Sequence, residues 1–166
     1  LRELASCPEV DAVYVASPNA AHARQALEMI AGGKHVLVEK SLASNEREAR
    51  EVFDAARERG VVVMEAMRNL HVPTFAAIER ACASDLGAIR LATLRFAKVT
   101  SRMARLRAGE RLNVFDPVLA GGALMDIGVY CVHPLVRLFG MPKKIIADSL
   151  LLSNGVEGAG TILASY

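Results

Sequence analysis

With 166 residues, of which 52% are hydrophobic, the chain is long enough for one domain or parts of two and can bury a sizeable core. A formal net charge of +2 gives no reason to expect nucleic acid or a membrane surface as a partner, and no apolar run approaches the roughly 20 residues of a transmembrane helix. Cys7, Cys82 and Cys131 are far apart and form no CxxC pair. We therefore expect neither a disulfide framework nor a zinc site. We expect a reducing, cytoplasmic location.

Both ends of the chain lie in or near predicted strands. The chain begins at Leu1 without an initiator Met, and Tyr166 falls inside the apolar run ILASY. We therefore expect an internal piece of a longer protein, in which a missing targeting signal carries little weight.

Three short apolar runs alternate with two helical patterns in the first part of the chain. The runs are DAVYVAS at 11–17, KHVLVE at 34–39 and VVVMEA at 61–66. The first helix is expected over 20–31, and the second begins at Asn45, which forms a capping box with Glu48, and ends at Gly60. Strands and helices in this order predict two βαβ units, which are half of a doubly wound parallel sheet.

The regular alternation of predicted strands and helices ends at about residue 67. A helix at 74–82 precedes AIRLATLRFAKV at 88–99, whose alternation of apolar and polar residues predicts a strand of an antiparallel sheet. A basic irregular stretch follows at 100–117, then a helix at 122–139 with Pro134 inside it, and strands at 144–152 and 160–166. The fold class is α/β, and we place the domain boundary between segments 1–68 and 69–166.

Polar residues follow each of the three strands of the first segment, where open α/β sheets bind ligands. They are Ser17-Pro18-Asn19, Glu39-Lys40-Ser41 and the stretch 65–68. Any one lysine in such a place is more often a solvated surface residue, with its neighbouring glutamate as a mere ion-pair partner.

The helix at 122–139 adds Asp126 and Tyr130, which are spaced i and i+4 on one face, with His133 close to it. The competing reading is that Tyr130 is a half-buried core residue and Asp126 an early-helix charge that the macrodipole favours. In the basic stretch, Arg102, Arg105, Arg107 and Arg111 are either a solvated loop or contacts for an anionic or hydroxylated substrate.

Four segments, DAVYVASPNAAH, GKHVLVEKS, VVVMEAMRNLHVP and GGALMDIGVYCVHP, resemble the Gfo/Idh/MocA oxidoreductases in order and separation. The stretch KVTSRMARLRAGERLNVFDP is similar to the dimeric dihydrodiol dehydrogenase branch. The resemblance implies the C-terminal half of a Rossmann-type sheet, followed by the start of an α+β domain with a mostly antiparallel sheet. It also implies a homodimer or higher homo-oligomer that acts on a small molecule.

The resemblance carries roles to particular residues. Glu39-Lys40 matches the family's Glu-Lys-Pro motif, whose lysine is catalytic, with Ser41 in the place of the proline. Asp126, Gly128 and Tyr130 match its Asp-x-Gly-x-(His or Tyr) motif. The residues that the resemblance implies for cofactor binding are Ser17, Pro18, Asn19, His22, Glu39 and Lys40. Arg68 and His71 are further candidates for contact with substrate, and no metal is implied.

The expected reaction is hydride transfer between NAD or NADP and a sugar, polyol or related hydroxy or carbonyl compound. A tyrosine hydroxyl is a poor base at neutral pH unless a nearby ammonium lowers its pKa. That requirement predicts Tyr130 as the acid/base, Lys40 as its tuning group and Asp126 as an orienting group. The family's glycine-rich phosphate loop is not in these residues, so they are expected to bind cofactor poorly on their own. The alternative is a sensor or regulatory protein that keeps the fold without turnover.

Overall fold

The computed structural model describes all residues, Leu1–Tyr166, which form two compact units. The first unit comprises Leu1–Ala66 and Asn113–Gly121, and the second comprises Met67–Leu112 and Gly122–Tyr166. The sequence predicts a boundary between segments 1–68 and 69–166. The division falls after Ala66, and a nine-residue return segment, 113–121, belongs with the first unit. Periodicity could not reveal this return, because the segment has neither strand alternation nor a helical stripe.

The first unit is built on a three-stranded parallel sheet in the order β1-β2-β3, as the strand–helix alternation predicts. Its elements in chain order are α1 (Arg2–Ser6), β1 (Ala12–Val15), α2 (Asn19–Ala31), β2 (His35–Val38), α3 (Glu46–Arg59) and β3 (Val63–Glu65). Two 3-10 turns, Asn113–Phe115 and Pro117–Leu119, complete it.

Alternate residues of each strand turn to the core, which the sheet forms with α2 and α3. The fully or nearly fully buried side chains of this core include Val15, Ala26, Met29, Ile30, Val36, Val38, Val52 and Ala56. The opposite face of the sheet carries Tyr14, Leu37 and Met64, which are 54%, 40% and 48% exposed. The apolar pattern on both strand faces thus corresponds to one covered and one exposed face.

Local sequence signals set the ends of the helices. The Asn45 side chain accepts from the Glu48 amide at 3.0 Å, and the Glu48 carboxylate accepts from the Ser44 amide at 3.1 Å. This is the capping box expected from the sequence, with the return bond one residue earlier. Gly60 ends α3 in the left-handed region at φ 67°, which a glycine adopts without steric cost.

The second unit has helices and a two-stranded antiparallel sheet, in accord with the expected fold class. Its elements are a 3-10 turn (Arg68–Leu70), α4 (Pro73–Arg80), a π-helical turn (Ala81–Asp85), α5 (Met103–Arg107), a second π-helical turn (Leu124–Gly128), α6 (Val129–Phe139), β4 (Lys144–Leu151) and β5 (Glu157–Ser165). The register of β4 and β5 runs from the Lys144–Ser165 pair to the Leu151–Glu157 pair.

One expectation for this unit is wrong, and another is confirmed with a change at the start of the helix. The segment 88–99 forms no strand, because no neighbouring strand pairs with it and alternation alone supplies no ladder hydrogen bonds. The helix expected over 122–139 begins as a π-helical turn, so its first residues do not follow α-helical spacing.

The stretch Pro117–Phe139 is long and apolar enough to cross a membrane by length and composition alone, which corrects the expectation that no run approaches that length. Ala120 at φ 53° and Gly122 at φ 129° interrupt helical geometry within it. Core helices of soluble proteins pass the same test, so the stretch is weak evidence for a membrane span.

Candidate functional site

The parallel register brings the ends of β1, β2 and β3 to one edge of the sheet. Tyr14–Leu37 and Val15–Val38 are paired across the first ladder, and Val38 is paired with Glu65 across the second. The residues that follow β1 and β2, including Ser17 and Lys40, therefore emerge side by side. This is the edge at which open α/β sheets bind ligands.

Lys40 lies half-buried two residues after β2, and its peptide bond with Ser41 is cis. Glu39 accepts a hydrogen bond from the Lys40 amide at 3.0 Å with one carboxylate oxygen. Its other oxygen accepts from the Tyr14 hydroxyl. This hydrogen bond raises the pKa of Tyr14, because it stabilises the neutral phenol beside a carboxylate.

Glu65 fixes the far side of the same loop, and the sequence analysis placed it in the strand-end stretch 65–68 without giving it a role of its own. Its Oε1 accepts from the Leu42 amide at 2.8 Å, and Leu42 is 6% exposed. The sequence signal for Glu65 is its place at the end of the third apolar run. Because Glu39 binds one side of the Lys40–Ser41 peptide and Glu65 the other, the backbone at Lys40 is held by carboxylates from two strands.

Replacing Glu65 by leucine is expected to destabilise the first unit by about 1–3 kcal/mol, because the buried Leu42 amide loses its acceptor. Glu65→Gln is the matched control, since its amide oxygen can still accept that hydrogen bond. Urea unfolding of both variants in the full-length protein measures the difference. Equal stability of the leucine and glutamine variants contradicts the assigned contact.

The segment after β1 is fixed by its own contacts. Pro18 is the N-cap of α2, and Asn19 donates from Nδ2 to the Ala120 carbonyl at 2.9 Å. The Ser17 hydroxyl is buried without a hydrogen-bond partner. Buried hydroxyls are usually paired, so this atom is free for a polar ligand at the sheet edge.

His22 does not line an open site. The ring is 0% exposed, with Nδ1 at 2.7 Å from the Ser41 carbonyl oxygen and Nε2 at 2.7 Å from that of Ser17. Both nitrogens are therefore in contact with the protein backbone, and cofactor binding by His22 stays a prediction. Its place is beneath the two strand-end loops.

Asp126 and Tyr130 lie in the second unit, and both are half-buried. Asp126 is in the π-helical turn and Tyr130 is near the start of α6, so the spacing expected for a regular α-helix does not hold. The Tyr130 ring stacks on Phe96, with ring centroids 5.8 Å apart and an angle of 29° between the planes. The sequence does not point to Phe96, because the alternation at 88–99 predicts only a strand there.

Glu157 of β5 supports the start of the same helical segment. Its Oε1 accepts from the Leu124 amide at 3.1 Å. A Cβ atom at Gly122, which is at φ 129°, would lie 2.1 Å from that oxygen. The Glu157 carboxylate thus lies so close to the backbone that only a glycine fits at position 122.

The remaining candidates are at the surface of the second unit. Arg68 begins a 3-10 turn and His71 follows it, and both are exposed. In the basic stretch, Arg105 forms an ion pair with Glu110 at 2.8 Å, which favours the reading of a solvated loop there.

Burial raises the pKa of the Cys131 thiol, so this cysteine is protonated at neutral pH. Lys40 lies in the other unit, and its convergence with Asp126 and Tyr130 stays a prediction.

Comparison with known proteins identifies the family. Residues 1–67 match the family model of the Gfo/Idh/MocA oxidoreductases, described as an oxidoreductase family with an NAD-binding Rossmann fold. Over these residues the chain is similar to the Gfo/Idh/MocA oxidoreductases. This confirms the resemblance on which the site residues were chosen.

Curated relatives match along the whole chain. The sequence is 46% identical to scyllo-inositol 2-dehydrogenase (NADP(+)) of Bacillus subtilis, over 100% of this chain and 50% of that protein. It is 34% identical to human trans-1,2-dihydrobenzene-1,2-diol dehydrogenase, over 99% of this chain and 48% of that protein. The chain thus spans about half the length of the curated relatives it matches.

Solved structures of oxidoreductases share the fold. An NAD-binding oxidoreductase of Klebsiella pneumoniae is 28% identical with a TM-score of 0.66, over 91% of this chain and 40% of that one. An oxidoreductase of Bacillus cereus has a TM-score of 0.73 at 22% identity, over 100% of this chain and 46% of that one. The second likeness concerns the fold alone.

Proposed function

We propose that the protein containing this chain is an NAD(P)-dependent dehydrogenase that transfers hydride between the nicotinamide cofactor and a polyol or related hydroxy compound. The observation that carries the proposal is Lys40, half-buried at the ligand-binding edge of a parallel sheet with its backbone held by Glu39 and Glu65. A fixed backbone at a cationic side chain is what a positioned catalytic group requires.

The residues at the end of β1 fit a nicotinamide cofactor. The Ser17 hydroxyl is a buried polar atom without a protein partner, and the loop it begins is fixed by Pro18 and Asn19. These residues would hold the cofactor at the sheet edge. When bound, the cofactor supplies the hydride acceptor or donor.

The chain supplies the proton chemistry. In this proposal the Lys40 ammonium binds the substrate oxygen and stabilises negative charge as the hydroxyl proton leaves. Tyr130 accepts that proton, and Asp126 orients the substrate or Lys40.

Polyols are the substrate class that the relatives suggest. One relative is named for scyllo-inositol and another for a dihydrodiol, and both compounds carry secondary alcohols on a six-membered carbon ring. The test is reduction of NAD and NADP by the full-length protein with a panel of cyclic and linear polyols. Turnover with at least one cyclic polyol supports the proposal, and binding of cofactor without turnover on any of them favours a non-catalytic sensor.

We further propose that the protein is a cytoplasmic homo-oligomer. Large apolar side chains on the two-stranded sheet of the second unit support association, because they are 42% to 65% exposed. They are Ile145, Ile146, Leu150, Leu151, Ile162 and Leu163. Light scattering of the full-length protein measures its oligomeric state directly.

A further inference from the structure

Tyr14 and Glu39 lie on the same face of the parallel sheet of the first unit. Tyr14 is paired with Leu37 in the ladder between β1 and β2, and Glu39 is two residues after Leu37. The Glu39 amide donates to the Val15 carbonyl at 2.8 Å, so the alternation of the strand continues to Glu39. This register places the Tyr14 hydroxyl against the Glu39 carboxylate, to which it donates a hydrogen bond.

The Glu39 carboxylate has a donor on each of its oxygens. One oxygen accepts from the Tyr14 hydroxyl, and the other accepts from the Lys40 amide at 3.0 Å. A glutamate side chain held by one donor can still turn about its own bonds, whereas a second donor from another strand fixes its orientation. A hydroxyl on β1 is thereby connected, through one carboxylate, to the backbone that carries Lys40.

We propose that Tyr14 is a positioning residue, which holds the Glu39 carboxylate and through it the backbone of Lys40. Groups that lock the surroundings of a catalytic side chain set how closely it keeps its productive geometry. The expected effect on turnover rests on the proposed function, whereas the hydrogen-bonded connection does not.

The competing reading is that Tyr14 only covers the exposed face of the sheet. Leu37 and Met64, which follow it across the two ladders, present apolar side chains to that face, so covering it requires the Tyr14 ring but not the hydroxyl. The hydrogen bond to Glu39 also raises the pKa of Tyr14, so the phenol stays protonated at neutral pH and remains a donor. This favours a hydroxyl that holds a carboxylate over one that exchanges a proton.

Exchange of the Lys40 backbone amide with solvent tests the connection without any enzymatic activity. In the full-length Tyr14→Phe variant, Glu39 loses one of its two donors, and we expect the Lys40 amide to exchange about tenfold faster than in the wild type. The Leu42 amide, which donates to Glu65, is the internal control and is expected to keep its rate. Amide-resolved NMR measures both rates. An unchanged rate at Lys40, or an equal rise at Leu42, overturns the proposal.

A double-mutant cycle tests whether Tyr14 acts through Glu39. We expect Tyr14→Phe to lower kcat about tenfold with less than about twofold change in cofactor Kd, because a misplaced Lys40 weakens transition-state contacts more than cofactor contacts. Glu39→Ala removes the group that connects the two residues, so adding Tyr14→Phe to it should lower kcat no further. Losses that multiply in the double variant overturn the proposed connection, as does a wild-type kcat in Tyr14→Phe.

Met64→Leu is the matched control for these kinetics. Met64 is on the same exposed face and offers no hydroxyl, so its variant is expected to keep the wild-type kcat. If the wild type turns over no polyol, the proposed function fails, and the exchange rates of the Lys40 and Leu42 amides still decide whether Tyr14 holds the backbone of Lys40.

Discussion

Replacing Lys40 by methionine is expected to lower the kcat of the full-length protein by about 10²–10⁴-fold, the usual contribution of a positioned group in proton transfer. Methionine keeps the length of the side chain and removes the ammonium that binds the substrate oxygen in the proposed mechanism. The cofactor Kd is expected to change less than about tenfold, because the contacts after β1 remain and the lost interaction is strongest in the transition state. Steady-state kinetics and cofactor titration on the same preparation measure both quantities.

Lys40→Arg is the matched control for that prediction. It keeps the positive charge but carries a planar group with different geometry, so we expect it to recover a small part of the lost kcat. If the methionine variant is as active as the wild type, Lys40 is not catalytic. If all three proteins bind cofactor and none turns over, the chain belongs to a sensor.

Replacing Gly121 by alanine is expected to destabilise the first unit by about 3 kcal/mol, at the upper end of the usual cost of overpacking. A Cβ atom at Gly121 would lie 2.7 Å from the carbonyl oxygens of both Asn113 and Val114. These are backbone atoms, so the return segment itself must move. The movement would also displace the Ala120 carbonyl, which accepts from Asn19 at the site.

Gly60→Ala separates this clash from the general cost of losing a glycine. Gly60 is in the same unit at φ 67°, and a Cβ there meets nothing within 4 Å. Its replacement is expected to cost only about 1–2 kcal/mol, the strain of a left-handed residue. Urea unfolding compares the two variants, and equal midpoints contradict the contact assigned to Gly121.

Local signals in the sequence predicted the elements of the first unit well. The runs at 11–17, 34–39 and 61–66 each contain a strand, and Asn45 and Gly60 flank α3 as capping chemistry requires. The same pattern located Lys40 at the sheet edge, because a parallel sheet brings its strand ends together.

Features that depend on distant partners could not be predicted in this way. The alternation at 88–99 indicates a strand, but a strand forms only where another chain segment supplies the ladder. The return of the 113–121 segment to the first unit includes a hydrogen bond from the Asn19 side chain to the Ala120 carbonyl, two residues far apart in the sequence. Similarly, burial of the His22 ring depends on two loops that are separate in sequence.

Transfer of labelled hydrogen tests the central claim most directly. The full-length protein is incubated with oxidised NAD or NADP and with scyllo-inositol carrying deuterium on its carbinol carbons. The account predicts deuterium on the nicotinamide ring of the reduced cofactor, together with slower turnover than with unlabelled substrate, and loss of both in Lys40→Met. Reduced cofactor without deuterium, or labelled cofactor at an undiminished rate in Lys40→Met, would contradict it.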